Sequence, residues 1–486
     1  MMTLDNSERV LRPGHNCWRI ERADRLALVI DAADYFRAVK AAMLEAEHSV
    51  YLIGWDFDAR IKFEPENKTL DGPNKLGPFL RWIGKSRPHV QVYVLKWDLG
   101  TLHALGRGTT PLFLLDWVTS HSVHFKLDGA HPKAAAHHQK VIVVDDALAF
   151  CGGIDMTADR WDTREHIDDD PRRRRPSGRA YEPWHDASTM VDGAVARALG
   201  DLARERWRRA SGNALDPPPP RSPIWPDGIS PTFTGIEVAI ARTQPEQDGE
   251  AAVHEIEAFY LDAIASAKDA IYCESQYFAS RRIVEAMAAR LREEDGPEIV
   301  VLNPESADGF LESVTMDTAR ARLLKLIHEA DRFGRFRIFT PVTKQRRPIY
   351  VHAKILIIDD RILRVGSSNI NNRSMGFDTE CDLIIEGNGE NTELRAIIAG
   401  IRNDLLAEHL GVEPLRVAEA IDAQASLAKA VDGLISNGRS LIPYVPDEAN
   451  AAEEALAEND LFDPERPTSL MAKIRKGIGL RSSPWR

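Results

Sequence analysis

The chain has 486 residues, 43% of them hydrophobic and 28% charged, as expected of an ordinary folded protein with room for two domain-sized units. Its formal net charge of −12 disfavours general binding to nucleic acid, which relies on neutralising phosphates. No apolar run approaches the roughly 20 residues that cross a bilayer, and the N-terminus lacks a basic segment followed by an apolar one. The expected location is therefore cytoplasmic or at a membrane surface as a peripheral protein, with export lacking a cleaved signal left open. Cys17, Cys151, Cys273 and Cys381 are widely scattered and form no C-x2-C pair, which favours structural thiols over disulfides or a zinc site.

In chain order, Asp31 reads as a helix N-cap, and Tyr35, Phe36, Val39, Met43 and Ala46 form one stripe of the helix that follows. A strand, SVYLIGWDFDARI, comes next, and an apolar strand lies at Val90 to Leu95. Ala136 to Asp155, AHHQKVIVVDDALAFCGGID, then places His138, Lys140 and Asp145 in an H-x-K-x4-D spacing, followed by Gly152, Gly153 and Asp155. A loop from Arg164 to Pro183 carries Arg172 to Arg175 and reads as a solvated charge run, or as a rim attracting anionic headgroups. Asn213 to Pro231 contains four consecutive prolines, which can continue neither a helix nor a central strand.

The same order then recurs. A helix with Ile256, Phe259, Tyr260 and Ile264 precedes AIYCESQYF, and an apolar strand lies at Glu298 to Asn303. Tyr350 to Ser374, YVHAKILIIDDRILRVGSSNINNRS, repeats the motif with His352, Lys354 and Asp359, followed by Gly366, Ser367 and Asn369 at the same distances. Two copies on Val/Ile-rich strands, each with a glycine turn at equal spacing, make an internal repeat. The resulting division is 1–215 for a first repeat, 216–231 for a linker, 232–412 for a second repeat and 413–486 for a helical, acidic extension with a basic amphipathic tail. That tail, SLMAKIRKGIGLRSSPWR, either lies on an anionic membrane surface or packs on the body. Helices alternating with β-rich runs in each half indicate an α/β class.

Alternate side chains of a strand share a face, so His and Lys of each motif point the same way. Displacement at a phosphodiester needs a nucleophile, a proton for the departing oxygen and positive charge for the other oxygens. Two imidazoles, His138 and His352, meet the first two needs if the repeats close on one phosphate. Lys140 and Lys354 meet the third, with Ser367 and Asn369 as added donors, so no metal and no cofactor is expected. Attack gives a phosphohistidine, and the other histidine then activates water or an alcohol. The acid histidine must be held protonated by a carboxylate, for which Asp186 in EPWHDAS and Glu380 in FDTECDL are candidates. Asp145 and Asp359 sit at strand ends, where supporting a turn and touching substrate are both open.

At these residues the chain resembles the phospholipase D family, closest to its eukaryotic-type enzymes. The resemblance lies in HHQKVIVVDD, FCGGIDMTADRWDT, EPWHDASTMVDG, ESQYF and YVHAKILIIDDRILRVGSSNINNRSM with FDTE, spanning roughly residues 30 to 410. It implies two similar α/β sandwich domains related by a pseudo-twofold, with the active site at their interface. It also implies headgroup release from phosphatidylcholine-like lipids, transfer to small alcohols, His138 as nucleophile and His352 as acid. Asp145 and Asp359 would count with the catalytic set. Gly153, Asp155, Ser367, Asn369, Asp186, Glu380 and Gln276 would bind phosphate or support the site. The expected partners are a phospholipid surface and water or a small alcohol, with no nucleic acid. Gly153 and Asp155 stand where the wider superfamily has Ser and Asn, a form the eukaryotic-type enzymes share. No C2, PX or PH module precedes the first repeat, so calcium dependence does not carry over. The nearest alternative is a cardiolipin-synthase-type phosphatidyltransferase; a superfamily nuclease and an inactive lipid-binding protein follow.

Overall fold

Each motif's β-branched run forms the first strand of an antiparallel hairpin in the computed structural model, which describes residues 9–98, 121–132, 135–247, 249–307, 310–387 and 391–446. The first half contributes β1 (Arg19–Ile30), β2 (Ser49–Gly54), β3 (Gln91–Trp97), β4 (Val123–Asp128), β5 (Val141–Val144), β6 (Leu148–Gly152), β7 (Trp184–His185) and β8 (Ala187–Asp192). The second half contributes β9 (Phe233–Gln244), β10 (Val253–His254), β11 (Ala270–Glu274), β12 (Glu298–Leu302), β13 (Phe336–Val342), β14 (Tyr350–Val351), β15 (Ile355–Ile358), β16 (Ile362–Gly366), β17 (Glu380–Glu386) and β18 (Ser440–Pro443).

Along one continuous sheet the order is β4-β3-β2-β5-β6-β8-β1, then β9-β17-β16-β15-β11-β12-β13-β18. Read outward from the β1–β9 seam, the halves match strand for strand. β8 corresponds to β17, β6 to β16, β5 to β15, β2 to β11, β3 to β12 and β4 to β13. The pairing types agree as well: β2 runs parallel to β3 and antiparallel to β5, as β11 does to β12 and β15. A pseudo-twofold therefore passes between the long antiparallel strands β1 and β9. The α/β class and the two similar halves agree with expectation; the central seam strands went unread in the sequence.

Helices cover both faces, which is why β2, β5 and β15 are buried along their whole length. On one face, helices Ala32–Leu44 and Leu76–Ser86 pack on the first half. Helices Glu255–Ser266 and Arg281–Leu291 do the same for the second. On the other face, Val195, Leu199 and Trp207 of helix Ala194–Ser211 share one core with Leu394, Ile398 and Leu405 of helix Thr392–Leu410. That core crosses the seam, so the two halves cannot separate without exposing it.

Three local readings change. Asp31 stands at the N-cap position with φ 63° but makes no side-chain capping bond; its carboxylate is buried instead. The arginine run is not a free basic rim: Arg172 pairs with Asp170, Arg173 is buried against Asp162 and Arg175 pairs with Asp159. Beyond residue 412 the chain forms two helices, Pro414–Gln424 and Leu427–Leu434, and then strand β18, which extends the sheet beside β13. The basic amphipathic tail lies outside the described residues.

Candidate active site

The residue pairs just before β5, β8, β15 and β17 meet at the seam. β7 pairs in parallel with β14, and a bridge joins His137 to Thr379. These two ties are mates under the pseudo-twofold, and each carries a motif histidine across to the opposite half. The His138 N–H donates to Thr379 C=O at 3.0 Å, and the His352 N–H donates to His185 C=O at 2.7 Å.

The side chains cross in the same way. His138 Nδ1 lies 3.0 Å from both carboxylate oxygens of Glu380, a residue of the second half. His352 Nδ1 lies 2.6 Å from Asp186 Oδ2, in the first half. Gly153 permits the second contact, because a Cβ there would collide with Asp186 Oδ1. Each ring is thus anchored through Nδ1, which leaves Nε2 as the reactive nitrogen.

Around Glu380 the hydrogens can be assigned. The Ser367 hydroxyl accepts from Cys381 N–H at 3.0 Å, so its own hydrogen goes to Glu380 Oε2 at 2.5 Å. The Ser374 hydroxyl accepts from Asn369 N–H at 3.1 Å and donates to Glu380 Oε1 at 2.6 Å. A carboxylate receiving two fixed hydroxyl hydrogens takes its third from His138 Nδ1–H, and His138 Nε2 is then bare. Asp186 has a poorer environment, with the Ala187 N–H donating to Oδ1 at 2.8 Å.

Lys140 sits 3.3 Å from Asp155 and donates to His138 C=O at 3.0 Å. Lys354 donates to His352 C=O and lies 3.3 Å from Gln276 Oε1. Asp155 is itself fixed by the Trp55 N–H at 3.0 Å. The amide oxygen of buried Asn369 has no hydrogen-bond partner and is available to a ligand. Behind Ser367, the buried Arg364–Asp382 ion pair shapes the turn, with Asp382 accepting the Ser367 N–H at 3.0 Å.

Burial first, then Lys140 and Lys354, pushes the His138 imidazole well below its ordinary pKa. Burial, Lys354, Arg160 and Lys140 do the same to His352, and His138 also contributes, which places the two rings in one field. Burial lowers Lys354 to about 7. It raises Asp186 to about 7 against Lys354, and Glu380 to about 8 against Lys140 and the two serines. A buried site rich in cations and deprived of water is one that an anion would stabilise.

Asp145 and Asp359 are elsewhere. Each lies at the far end of a four-residue strand, about 16 Å along the chain from its lysine. Asp145 accepts the N–H groups of Glu47, His48 and Ser49 at 2.7, 2.8 and 2.6 Å and pairs with Arg221. Asp359 accepts those of Lys268, Asp269 and Ala270 at 2.7, 2.8 and 2.9 Å. With φ of 53° and 52°, both begin the left-handed turn of their hairpin, a conformation that Asp tolerates. Their geometry is that of turn supports, one of the two roles the sequence left open for them, rather than of groups facing the two imidazoles.

Sequence reasoning missed Arg160. Its guanidinium lies 4.1 Å over the Trp184 ring, its Nε has no hydrogen-bond partner, and its charge bears on His352, Lys354 and Asp186. Trp184 in turn stacks on Tyr350 at 4.4 Å. The only signal was the arginine in DRWDT, which spacing alone does not distinguish.

A family model described as phospholipase D matches residues 42–217, and one described as cardiolipin synthase, PLD-like domain, matches residues 260–402. Among curated proteins, phospholipase D A of Dictyostelium discoideum is 25% identical over 475 residues, covering 82% of this chain and 37% of that protein. Phospholipase D alpha 3 of Arabidopsis thaliana is 26% identical over 475 residues, covering 70% and 58%. The chain thus spans well under two thirds of the length of these relatives. The crystal structure of phosphatidylserine synthase from Haemophilus influenzae matches with a TM-score of 0.53 at 12% identity, covering 78% of this chain and 86% of that one, a likeness of fold.

Proposed function

We propose that this chain, which belongs to the phospholipase D family, hydrolyses the headgroup phosphodiester of glycerophospholipids to phosphatidic acid through a phosphohistidine. The observation that carries the reading is the crossed anchoring: one imidazole from each half, each held at Nδ1 by a carboxylate of the other half, with a lysine beside each.

His138 is the nucleophile. Its Nε2 lone pair attacks phosphorus while the bond to the headgroup oxygen breaks. The His352–Asp186 pair supplies the proton that this oxygen needs. Burial raises Asp186 to about 7, so that pair can carry an extra proton, and the incoming phosphodiester charge strengthens its hold. Lys140, Lys354 and the NH2 of Asn369 bind the non-bridging oxygens. In the second step His352, now bare at Nε2, takes a proton from water; the water oxygen bonds to phosphorus and the P–N bond breaks. An alcohol in place of water yields a phosphatidyl alcohol by the same route. Holding the groups in line draws on the roughly 7–11 kcal/mol available to well-oriented intramolecular reactions.

The match of the second half to a model described as cardiolipin synthase favours one other reading, in which the acceptor is a lipid alcohol. A peripheral position on the phospholipid surface belongs to either. Among the described residues no helix is long and apolar enough to cross a membrane. The test incubates the full chain with vesicles of phosphatidylcholine, phosphatidylethanolamine or phosphatidylglycerol, with ethanol present or absent. Release of headgroup and diversion to phosphatidylethanol support the proposal. Cleavage of single-stranded DNA with no lipid turnover would overturn it.

A further inference from the structure

Directly behind His352 lies a second cluster, which takes no part in the bond changes. Asp31, His166, His185 and Glu408 are all at most 4% exposed. His166 Nε2 lies 3.1 Å from Glu408 Oε1 and 3.7 Å from Asp31 Oδ2. His185 Nδ1 lies 2.9 Å from the same Glu408 oxygen and 3.2 Å from Asp31 Oδ1. One ligand atom from each residue falls within 4.8 Å of all the others. Tetrahedral zinc, with bonds near 2.0–2.2 Å to nitrogen and oxygen, sets its ligand atoms about 3.3–3.6 Å apart. The four separations straddle that value.

The hydrogen bonding points the same way. Although two carboxylate oxygens lie within 3.2 Å of His185 Nδ1, it is aligned for a hydrogen bond to neither, and Asp31 Oδ2 also has no hydrogen-bond partner. Both are buried atoms aimed into the cluster. The far nitrogen of each ring is already committed to a carboxylate, His166 Nδ1 to Asp162 at 3.0 Å and His185 Nε2 to Glu274 at 2.9 Å. Such carboxylate–histidine pairs fix the ring nitrogen that a metal takes. Asp162 is secured in turn by Arg173 at 3.0 Å and by the Trp184 N–H at 2.9 Å.

The charge balance leaves room for a dication. Asp31, Asp162, Glu274 and Glu408 are four buried carboxylates, and two guanidiniums bond them, Arg173 to Asp162 and Arg164 to Glu408. Four less two leaves two negative charges in a dry interior, a deficit that one dication or an extra proton on each histidine would meet.

We propose that Asp31, His166, His185 and Glu408 bind one structural divalent transition metal, zinc being the best match, which ties the two halves together behind the phosphate site. Three ligands come from the first half and Glu408 from helix Thr392–Leu410 of the second. Four protein ligands leave no open position, so this metal activates no water, and the phosphoryl chemistry still proceeds on imidazoles and lysines. It acts on the reaction by position: His185 gives its C=O to the His352 N–H, and its neighbour Asp186 holds His352 Nδ1.

The test uses the full chain, expressed without a polyhistidine tag in zinc-supplemented medium. Elemental analysis is expected to find about one zinc per chain. Cobalt put in its place should give the intense visible bands of a tetrahedral site. His166→Gln and Glu408→Gln should each lose the metal and the bands. Asp162→Asn, which keeps every ligand, should weaken zinc about 10–100-fold in competition with a chelator. Because a ligand variant can fail to fold, wild-type protein stripped by a chelator is melted before and after zinc is returned; zinc should raise its Tm. Folded wild-type protein that carries no zinc and whose Tm ignores both zinc and chelator would overturn the proposal, leaving the cluster held by protons. Zinc retained equally by wild type and a folded His166→Gln would overturn it as well.

Discussion

Glu380→Gln keeps the shape of the side chain that holds His138 and removes its charge. In the wild type two serine hydroxyls, each committed as a donor, and His138 Nδ1 converge on the two carboxylate oxygens. An amide has one oxygen for the serines, and its NH2 then faces Nδ1. The ring proton moves to Nε2, and the attacking lone pair is gone. Losing the carboxylate that sets a catalytic histidine's tautomer costs about 10⁴ in rate, on the order of 5 kcal/mol in the barrier. Stability should move the other way. Burial raises Glu380 to about 8 from an ordinary 4.5, so the folded state keeps a proton that the unfolded chain releases between those values. Stability therefore falls as pH rises through that window, by at most about 5 kcal/mol, and the uncharged variant escapes the loss. The assays are single-turnover headgroup release and urea unfolding at pH 5 and pH 8. The variant should be slower by about 10³–10⁴ and more stable than wild type at pH 8, with little difference at pH 5. Activity within about tenfold of wild type would refute the assigned tautomer, and equal stability at both pH values would refute the buried charge.

Other expectations follow from the same contacts. Asp145→Ala removes three charge-assisted backbone bonds and an ion pair, and should cost about 3–5 kcal/mol in urea unfolding while leaving turnover per folded molecule unchanged. A collapse of kcat in folded Asp145→Ala would return that residue to the catalytic set. Arg160→Ala should lower kcat/KM by about 10–100-fold, as expected on removing a positive charge that bears on His352, Lys354 and Asp186, with Arg160→Lys recovering part of it. Wild-type kcat/KM should pass through a maximum between about pH 7 and 8, because Glu380 must lose its proton for His138 to attack while the His352–Asp186 pair must keep the proton it donates. A profile flat from about pH 5 to 9 would contradict both assignments.

The repeat and most of the site were legible in the sequence because strand geometry is local. Once Val141–Val144 and Ile355–Ile358 read as strands, the shared face of each His and Lys follows. The carboxylate partners were legible only as a pair; that Glu380 serves His138 and Asp186 serves His352 depends on strand exchange across the seam, which no local pattern encodes. Strands β1 and β9 were unread although they form the seam, since their burial is decided by pairing with each other. Asp31 shows the same limit. Placed before a helical stripe it reads as a cap, yet its carboxylate lies beside His166 and His185, residues far along the chain. The arginine run misread for a similar reason, its partners Asp159, Asp162 and Asp170 being assigned only by the folded loop.

Rapid quenching of the full chain with a short-chain phosphatidylcholine, followed by peptide mass spectrometry, tests most directly whether two halves share one phosphorus. A phosphatidyl adduct on His138 that accumulates when His352 is replaced by Ala and an activated aryl ester serves as substrate is the predicted result. An adduct on His352 in the wild type, or His352→Ala turning over phosphatidylcholine at the wild-type rate, would contradict it.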